Sequence, residues 1–296
     1  MHGGTVKRMT VAELRKHSKE NMESYMIEDA GTLTDILLAH IMGIDRETLY
    51  QVLEMQLPDQ ATLLMNECAL RLSRGIPVQY IMGSCYFYGL EISVGPGCFI
   101  PRSDTEVLVK SAITLLPENG RFVDICSGSG CISKAIAHER PDSQGLALEY
   151  SLKALEYTEE NLKDSENVAV KRFDALDEEE YIELASTLSD NEKFDMLVCN
   201  PPYIPTDDMD SLSTQVRFEP DSALDGGEDG MRYYVIITKL VQYLLKEEHT
   251  IIYEVGIGQA GYIEAYLKLY GYTTAIIKDL GGIERVVIGT KGGSAK

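Results

Sequence analysis

Asn200-Pro201-Pro202-Tyr203 follows the apolar run Met196-Leu197-Val198-Cys199, and its residue types point most directly to chemistry. Two consecutive prolines fix φ and remove two backbone donors. The Asn200 side-chain oxygen and the Pro201 carbonyl can then face one point as rigid acceptors, with the Tyr203 ring beside them. Two acceptors and a flat ring suit a planar group bearing an NH2, either an amide or an exocyclic base amine. The same four residues also read as a simple strand terminator, because proline cannot continue a ladder.

A second constellation is Asp124-Ile125-Cys126-Ser127-Gly128-Ser129-Gly130, which follows Phe122-Val123 and opens a helix. Glycines let backbone approach a ligand, and a helix N-terminus offers free amides. Alone, such a turn is compatible with a dinucleotide, a mononucleotide or no ligand. Glu149 narrows the choice. It ends the next strand, 19 residues after Gly130, where a carboxylate accepts the ribose hydroxyls of an adenosine cofactor. Otherwise Glu149 is a solvated strand end.

The elements that must position these residues alternate. Strands are expected over 121–126, 145–149, 168–173 and 195–199, with helices over 131–139, 151–162 and 178–188. A helix over 231–245, a strand over 250–254 and a helix over 259–269 follow, then strands over 273–279 and 285–288. This spacing implies α/β architecture, a seven-stranded doubly wound (Rossmann-like) sheet that is parallel except for a closing hairpin. In such sheets ligands sit at the switch point, outside the carboxyl ends of strands one and four. The glycine turn follows strand one and Asn200 follows strand four, so a cofactor's reactive carbon and an NH2 nucleophile would converge.

Residues 1–80 read as an N-terminal helical bundle, a recognition or packing module. Thr10-Val11-Ala12-Glu13 fits a capping box, Asp45 can cap a third helix through Leu49, Val52 and Leu53, and Gly75 and Pro77 stop a fourth. Residues 81–102 read as a β-hairpin linker, and residues 103–296 as the sheet domain. Ser103-Asp104-Thr105-Glu106 gives a second capping-box pattern. Residues 1–4 read as a flexible end.

Composition excludes several classes. With 27 Lys+Arg against 47 Asp+Glu, the net charge is −20. Nucleic-acid affinity rests on cations that neutralise phosphates, and no basic stripe is visible, so no stable nucleic-acid partner is expected. The six cysteines form no C-x-x-C pair and the five histidines are scattered, so no metal site is expected. Cys126, Cys131 and Cys199 can meet at the sheet's edge, where packing is the expected role. No apolar run approaches the ~20 residues of a membrane span. A cytoplasmic location with free thiols is expected.

The Asp-x-x-x-Gly-x-Gly turn, the acidic second-strand end and Asn-Pro-Pro-Tyr together resemble class I S-adenosylmethionine-dependent N-methyltransferases. Flanking segments narrow the resemblance to the HemK/PrmC family of release-factor glutamine methyltransferases. These are 74–83 (RGIPVQYIMG), 99–106 (FIPRSDTE), Arg217-Phe218-Glu219-Pro220, Ala223-Leu224-Asp225-Gly226-Gly227, Asp229-Gly230 and Glu284-Arg285-Val286. The resemblance spans nearly the whole chain.

It implies transfer of a methyl group to the glutamine side-chain amide of the Gly-Gly-Gln motif in peptide chain release factors. S-adenosyl-L-methionine would be the donor and S-adenosyl-L-homocysteine the product. Asn200, Pro201, Pro202 and Tyr203 would bind and activate the amide. Asp124, Cys126, Ser127, Gly128, Ser129 and Gly130 would form the methionine side of the cofactor site, with Asn200 bordering it, Glu149 taking the ribose, and Asp174 and Ala175 the adenine. Against the family pattern, Cys126 replaces the turn's first glycine, Ser103 a proline, Glu149 the more usual Asp, and Ala175 a bulkier residue. Two other functions compete: a DNA or RNA exocyclic-amine N-methyltransferase, which needs a basic face, and a non-catalytic cofactor-binding interaction protein.

Overall fold

The computed structural model describes residues 8–292, so the reading of residues 1–4 falls outside it. Two compact units are present. Among the described residues, one comprises those up to Gly83 together with Thr214–Phe218, and the other Ser84–Ser213 and those from Glu219 to 292.

The first unit is helical: α1 (Val11–Ser24), α2 (Ala30–Met42), α3 (Arg46–Leu49), α4 (Asp59–Ser73) and α5 (Val78–Met82). The Thr10 hydroxyl accepts from the Glu13 amide and the Glu13 carboxylate from the Thr10 amide, which satisfies two orphan donors at the start of α1. Val11, Leu14 and Met22 of α1 pack with Leu37, Leu38, Met65 and Ala69 in one core. The third helix stops at Leu49, short of the expected Val52 and Leu53. The chain there runs through turns and then bridges Gln56 to Thr10 at the entry to α1, with Val11 N–H to Met55 O and Leu57 N–H to Met9 O, both 2.9 Å. Thr214 and Phe218 lie over Gly75 at φ +85°, where an added Cβ would meet Thr214 Cγ2 at 2.5 Å.

The second unit begins with a hairpin, β1 (Ser84–Phe87) and β2 (Leu90–Ser93). Phe87, Ile92 and Val94 are buried in the same cluster as Leu108, Val109 and Ile136, so the hairpin is a part of this unit's core. Helix α6 (Glu106–Leu115) follows a 3-10 turn at Ser103–Thr105, and the capping box expected over 103–106 is not formed. The Glu106 carboxylate instead accepts from the Tyr88 amide of the hairpin at 2.9 Å, a tertiary partner that displaces the local one.

The sheet then builds from β3 (Arg121–Ile125), α7 (Cys131–Glu139), β4 (Gln144–Glu149), α8 (Leu152–Leu162), β5 (Val168–Arg172), α9 (Glu178–Ser186), β6 (Phe194–Cys199), α10 (Arg232–Leu240), β7 (Leu245–Glu254), α11 (Ala260–Leu269), β8 (Thr273–Lys278) and β9 (Glu284–Lys291). The strand order is β5-β4-β3-β6-β7-β9-β8. The first five strands run parallel, and β9 is antiparallel to both neighbours. Alternate residues of the central strands enter opposite cores. Val123, Ile125, Leu197 and Tyr253 face one; Phe122, Met196, Val198 and Ile252 face the other. Burial on both faces is why these strands read as unbroken apolar runs. Strand β7 starts at Leu245 rather than near 250, because the expected helix ends at Leu240 and a 3-10 turn over Val241–Tyr243 takes its place.

Candidate active site

Strands β3 and β6 are hydrogen-bonded neighbours, with Ile125 opposite Cys199. Cys126 and Asn200 therefore leave the sheet side by side, at the seam where the winding reverses. Between the two departing turns lies a crevice of about 330 Å³.

On one side is the turn after β3. Cys126, Gly128 and Gly130 have φ of +63°, +58° and +75°. Glycine takes that region freely, whereas an L side chain costs roughly 1–2 kcal/mol there, so Cys126 holds a strained backbone. A Cβ at Gly128 would meet nothing within 4 Å, whereas one at Gly130 would press on Thr158 Cγ2 at 3.0 Å. Helix α8 braces the turn: Thr158 Oγ1 donates to Gly128 O at 2.8 Å and Asn161 Nδ2 to Ser129 O at 2.9 Å.

The Glu149 carboxylate accepts from Gly128 N–H at 2.8 Å and Ser151 N–H at 2.7 Å. Each oxygen retains a lone pair for a further donor. Burial raises the Glu149 carboxyl above its ordinary range, opposed by the Ser151 and Gly128 amides. Asp124 lies beneath the turn, fully buried, and burial pushes its carboxyl up to about 7. Its Oδ2 accepts from Ser133 Oγ of α7 at 2.8 Å, while Oδ1 has no protein partner. Ser127 Oγ is also buried without a protein partner.

On the other side is the turn after β6. Asn200 Nδ2 donates to Thr105 Oγ1 at 3.5 Å. Tyr203 is held through its backbone. Gln259 Nε2 donates to Tyr203 O at 2.9 Å, while Gln259 Oε1 accepts from Gly256 N–H. Gly226 and Gly230 press on the same backbone, so that a Cβ at Gly230 would sit 2.3 Å from Tyr203 O. Two glycine-bearing segments thus clamp the turn from outside. Burial pushes the Tyr203 hydroxyl up to about 12, which keeps it neutral. The wall carrying Phe99, Pro101 and Pro220 is tied by the buried Glu219, which pairs with Arg102 and accepts from Ile100 N–H at 3.0 Å. The Arg102 guanidinium lies 4.8 Å from the Phe99 ring centre.

Of the residues singled out in the sequence, Cys126, Ser127, Gly128, Ser129, Glu149, Asp174, Ala175, Asn200, Pro201, Pro202 and Tyr203 all line this crevice. Asp124 and Gly130 do not. Asp124 reaches back to α7, and Gly130 packs against α8 as the residue preceding α7. Asp174 Oδ1 accepts from Leu176 N–H at 2.9 Å, and Tyr181 holds the Ala175 carbonyl at 3.1 Å. Phe99, Thr105, Tyr150 and Phe173 also line the crevice, and the residue-by-residue reading gave them no role. Tyr150 follows Glu149 directly, so its position was available as a signal. Thr105 reaches the crevice only through the packing of α6, and no local pattern marks it.

Among the described residues, no group of His, Cys, Asp or Glu is arranged to hold a metal ion, and no helix is long and apolar enough to cross a membrane. All six cysteines are free thiols.

Residues 13–83 match the PrmC N-terminal domain family and residues 103–218 the methyltransferase small domain family. A release factor glutamine methyltransferase of Geobacter sulfurreducens is 35% identical over 268 residues, covering 90% of this chain and 91% of that one. Another, from Thermodesulfovibrio yellowstonii, is 34% identical over 261 residues, covering 85% and 89%. Among solved structures, a methyltransferase from Pyrococcus furiosus aligns with a TM-score of 0.50 at 16% identity, over 70% of this chain and 91% of that one. The hMettl16 catalytic domain in complex with the MAT2A 3′UTR hairpin 6 aligns with a TM-score of 0.51 at 15% identity, over 80% and 84%. The two structures share the fold.

Proposed function

The chain belongs to the release factor glutamine methyltransferase family, and on that premise we propose that it methylates the glutamine amide nitrogen of the Gly-Gly-Gln motif in peptide chain release factors. One observation carries this reading: the Asn200–Tyr203 turn and the Cys126–Ser129 turn line the same crevice from adjacent strands.

The crevice fits S-adenosylmethionine. Glu149 lines it and retains lone pairs, Ser127 Oγ lacks a protein partner, and Gly128 leaves open space. Ser127, Gly128 and Ser129 would hold the methionine part, Glu149 the ribose hydroxyls, and Asp174 and Ala175 the adenine region, with Asp124 and Gly130 supporting from beneath. When bound, this group supplies an electrophilic methyl and leaves as S-adenosylhomocysteine.

An amide nitrogen is a weak nucleophile because its lone pair is delocalised into the carbonyl. Asn200 Oδ1 and the Pro201 carbonyl would accept its two N–H bonds, which orients the nitrogen and favours the positive charge it gains in the transition state; once methylated the nitrogen is strongly acidic and would release one N–H proton to solvent, so no strong base is needed. Pro202 keeps that carbonyl rigid, and the neutral Tyr203 ring packs beside the amide plane. Release-factor substrates place the reaction in the cytoplasm. The surplus of acidic groups suits a basic partner face, so association should weaken as salt rises.

Incubating the full chain with methyl-labelled S-adenosylmethionine and a release factor, then sequencing peptides by mass spectrometry, tests the reading. One methyl on the Gly-Gly-Gln glutamine is expected. Label on DNA or RNA instead would favour an exocyclic-amine methyltransferase, and no label anywhere a non-catalytic binding protein.

A further inference from the structure

Asn200 can act as an acceptor only if its amide is turned the right way. Its oxygen and nitrogen occupy nearly the same volume, so the partners of Nδ2 decide which atom faces the crevice. Nδ2 donates to Thr105 Oγ1 at 3.5 Å, and Thr105, 2% exposed, must place its own hydroxyl hydrogen. The Glu254 carboxylate faces both groups. Glu254 is the last residue of β7 and also 2% exposed. Register explains the meeting. Cys199 pairs with Tyr253 across β6 and β7, so Asn200 and Glu254 follow as neighbours. The Tyr234 hydroxyl donates to Glu254 O at 2.8 Å and fixes that strand end. Glu254 Oε2 has no hydrogen-bond partner, which is uncommon for a buried oxygen and costly to retain.

We propose that Glu254, together with Thr105, is the positioning residue that fixes the rotation of the Asn200 amide, leaving Oδ1 to face the substrate. This rests on the reading of Asn200 as an acceptor given above. An ionised carboxylate only accepts, so Asn200 must turn its NH2 toward it. A protonated Glu254 could donate instead, draw Oδ1 inward and remove the acceptor.

Burial raises the Glu254 carboxyl to about 7, opposed by Thr105, Arg285 and Asn200. Arg285 from β9 and Asp104 from the 3-10 turn face it and pair with each other at 2.9 Å. Cys131, Cys199, Tyr203 and Tyr234 surround it, and burial pushes all four far above neutrality. Turnover should therefore rise with pH through neutrality as Glu254 ionises.

The test is steady-state kinetics of the full chain on a release factor, with cofactor binding measured by calorimetry and folding by thermal melting. Glu254→Gln and Thr105→Val should each lower kcat by about 10- to 100-fold, with cofactor Kd and the KM for release factor little changed. The neutral limb of the kcat–pH profile should vanish in Glu254→Gln. Wild-type kcat in both variants overturns the proposal, as does an unaltered limb in Glu254→Gln, which would assign that titration to Asp124. If Glu254→Gln does not fold, Thr105→Val decides: a kcat loss with an intact melting midpoint supports the proposal, and wild-type kcat overturns it. Asn200→Ala separates the two levels. Full turnover in that variant sinks the acceptor reading itself, whereas an inactive Asn200→Ala beside wild-type Glu254→Gln and Thr105→Val sinks only this inference.

Discussion

The two turns that border the crevice follow neighbouring strands at the same level, yet they are built on opposite principles. The turn after β3 takes three positive φ values in five residues, and its Ser127, Gly128 and Gly130 amides are bonded within the protein. It is braced by side chains that come to it: Glu149, Thr158 and Asn161. The turn after β6 has no glycine and carries two prolines. It is clamped by backbone pressed against it from Gly226 and Gly230. A glycine turn beside a carboxylate suits the methionine and ribose parts of the proposed cofactor, and a proline-fixed turn carrying an asparagine suits the proposed NH2. On the function proposed above, one topological position would serve both halves of a transfer reaction, because the two turns are braced in different ways.

Damage to the acceptor side should fall on turnover. Asn200→Ala is expected to lower kcat by about 10²- to 10³-fold, the usual loss of one preorganised transition-state partner, with cofactor affinity unchanged by calorimetry. Damage to the glycine-turn side should fall on binding. Glu149→Ala removes a charged acceptor worth about 1.5–3 kcal/mol per bond, so cofactor Kd should rise about 10- to 100-fold while kcat at saturation stays near wild type. A loss of saturated kcat as deep as that of Asn200→Ala would erase the division of labour.

The buried carboxyl beneath the glycine turn gives a smaller, pH-dependent effect. Asp124 is raised from 3.8 to about 7 in the fold, so the folded chain holds a proton that the unfolded chain releases. Its stabilisation is complete below about pH 4 and is lost as pH rises through 7. The melting midpoint should fall between pH 5.5 and pH 8, and Asp124→Asn should flatten part of that slope. The smallest change concerns strain. Cys126→Gly relieves a side chain at φ +63° and should raise unfolding free energy by up to about 1 kcal/mol, read by denaturant titration; a loss of stability would mean that the packing of Cys126 outweighs its backbone cost.

Much of this arrangement is legible in the residues. Alternating apolar runs give the sheet, and Asn-Pro-Pro-Tyr and the glycine turn are contiguous, so their residue types can be read locally. The errors occur where a distant group replaces a local one. Glu106 has the spacing of a capping box but caps nothing, because the Tyr88 amide claims its carboxylate. The helix expected to carry Val52 and Leu53 ends early, because residues near 53–57 pair with the chain entering α1. Cys126 looks unfit for positive φ, yet takes it between a fixed strand and the bracing of α8.

By itself the sequence marked the residues proposed for a cofactor and for an amide, since residue type and local spacing set hydrogen-bonding capacity and backbone freedom. Only the tertiary structure decided how those groups are aimed. Glu254 lies 54 residues from Asn200 and Thr105 lies 95 residues from it, and they become its neighbours through strand register and helix packing. Rotation of a single amide is set by contacts of that range, and no local pattern records them.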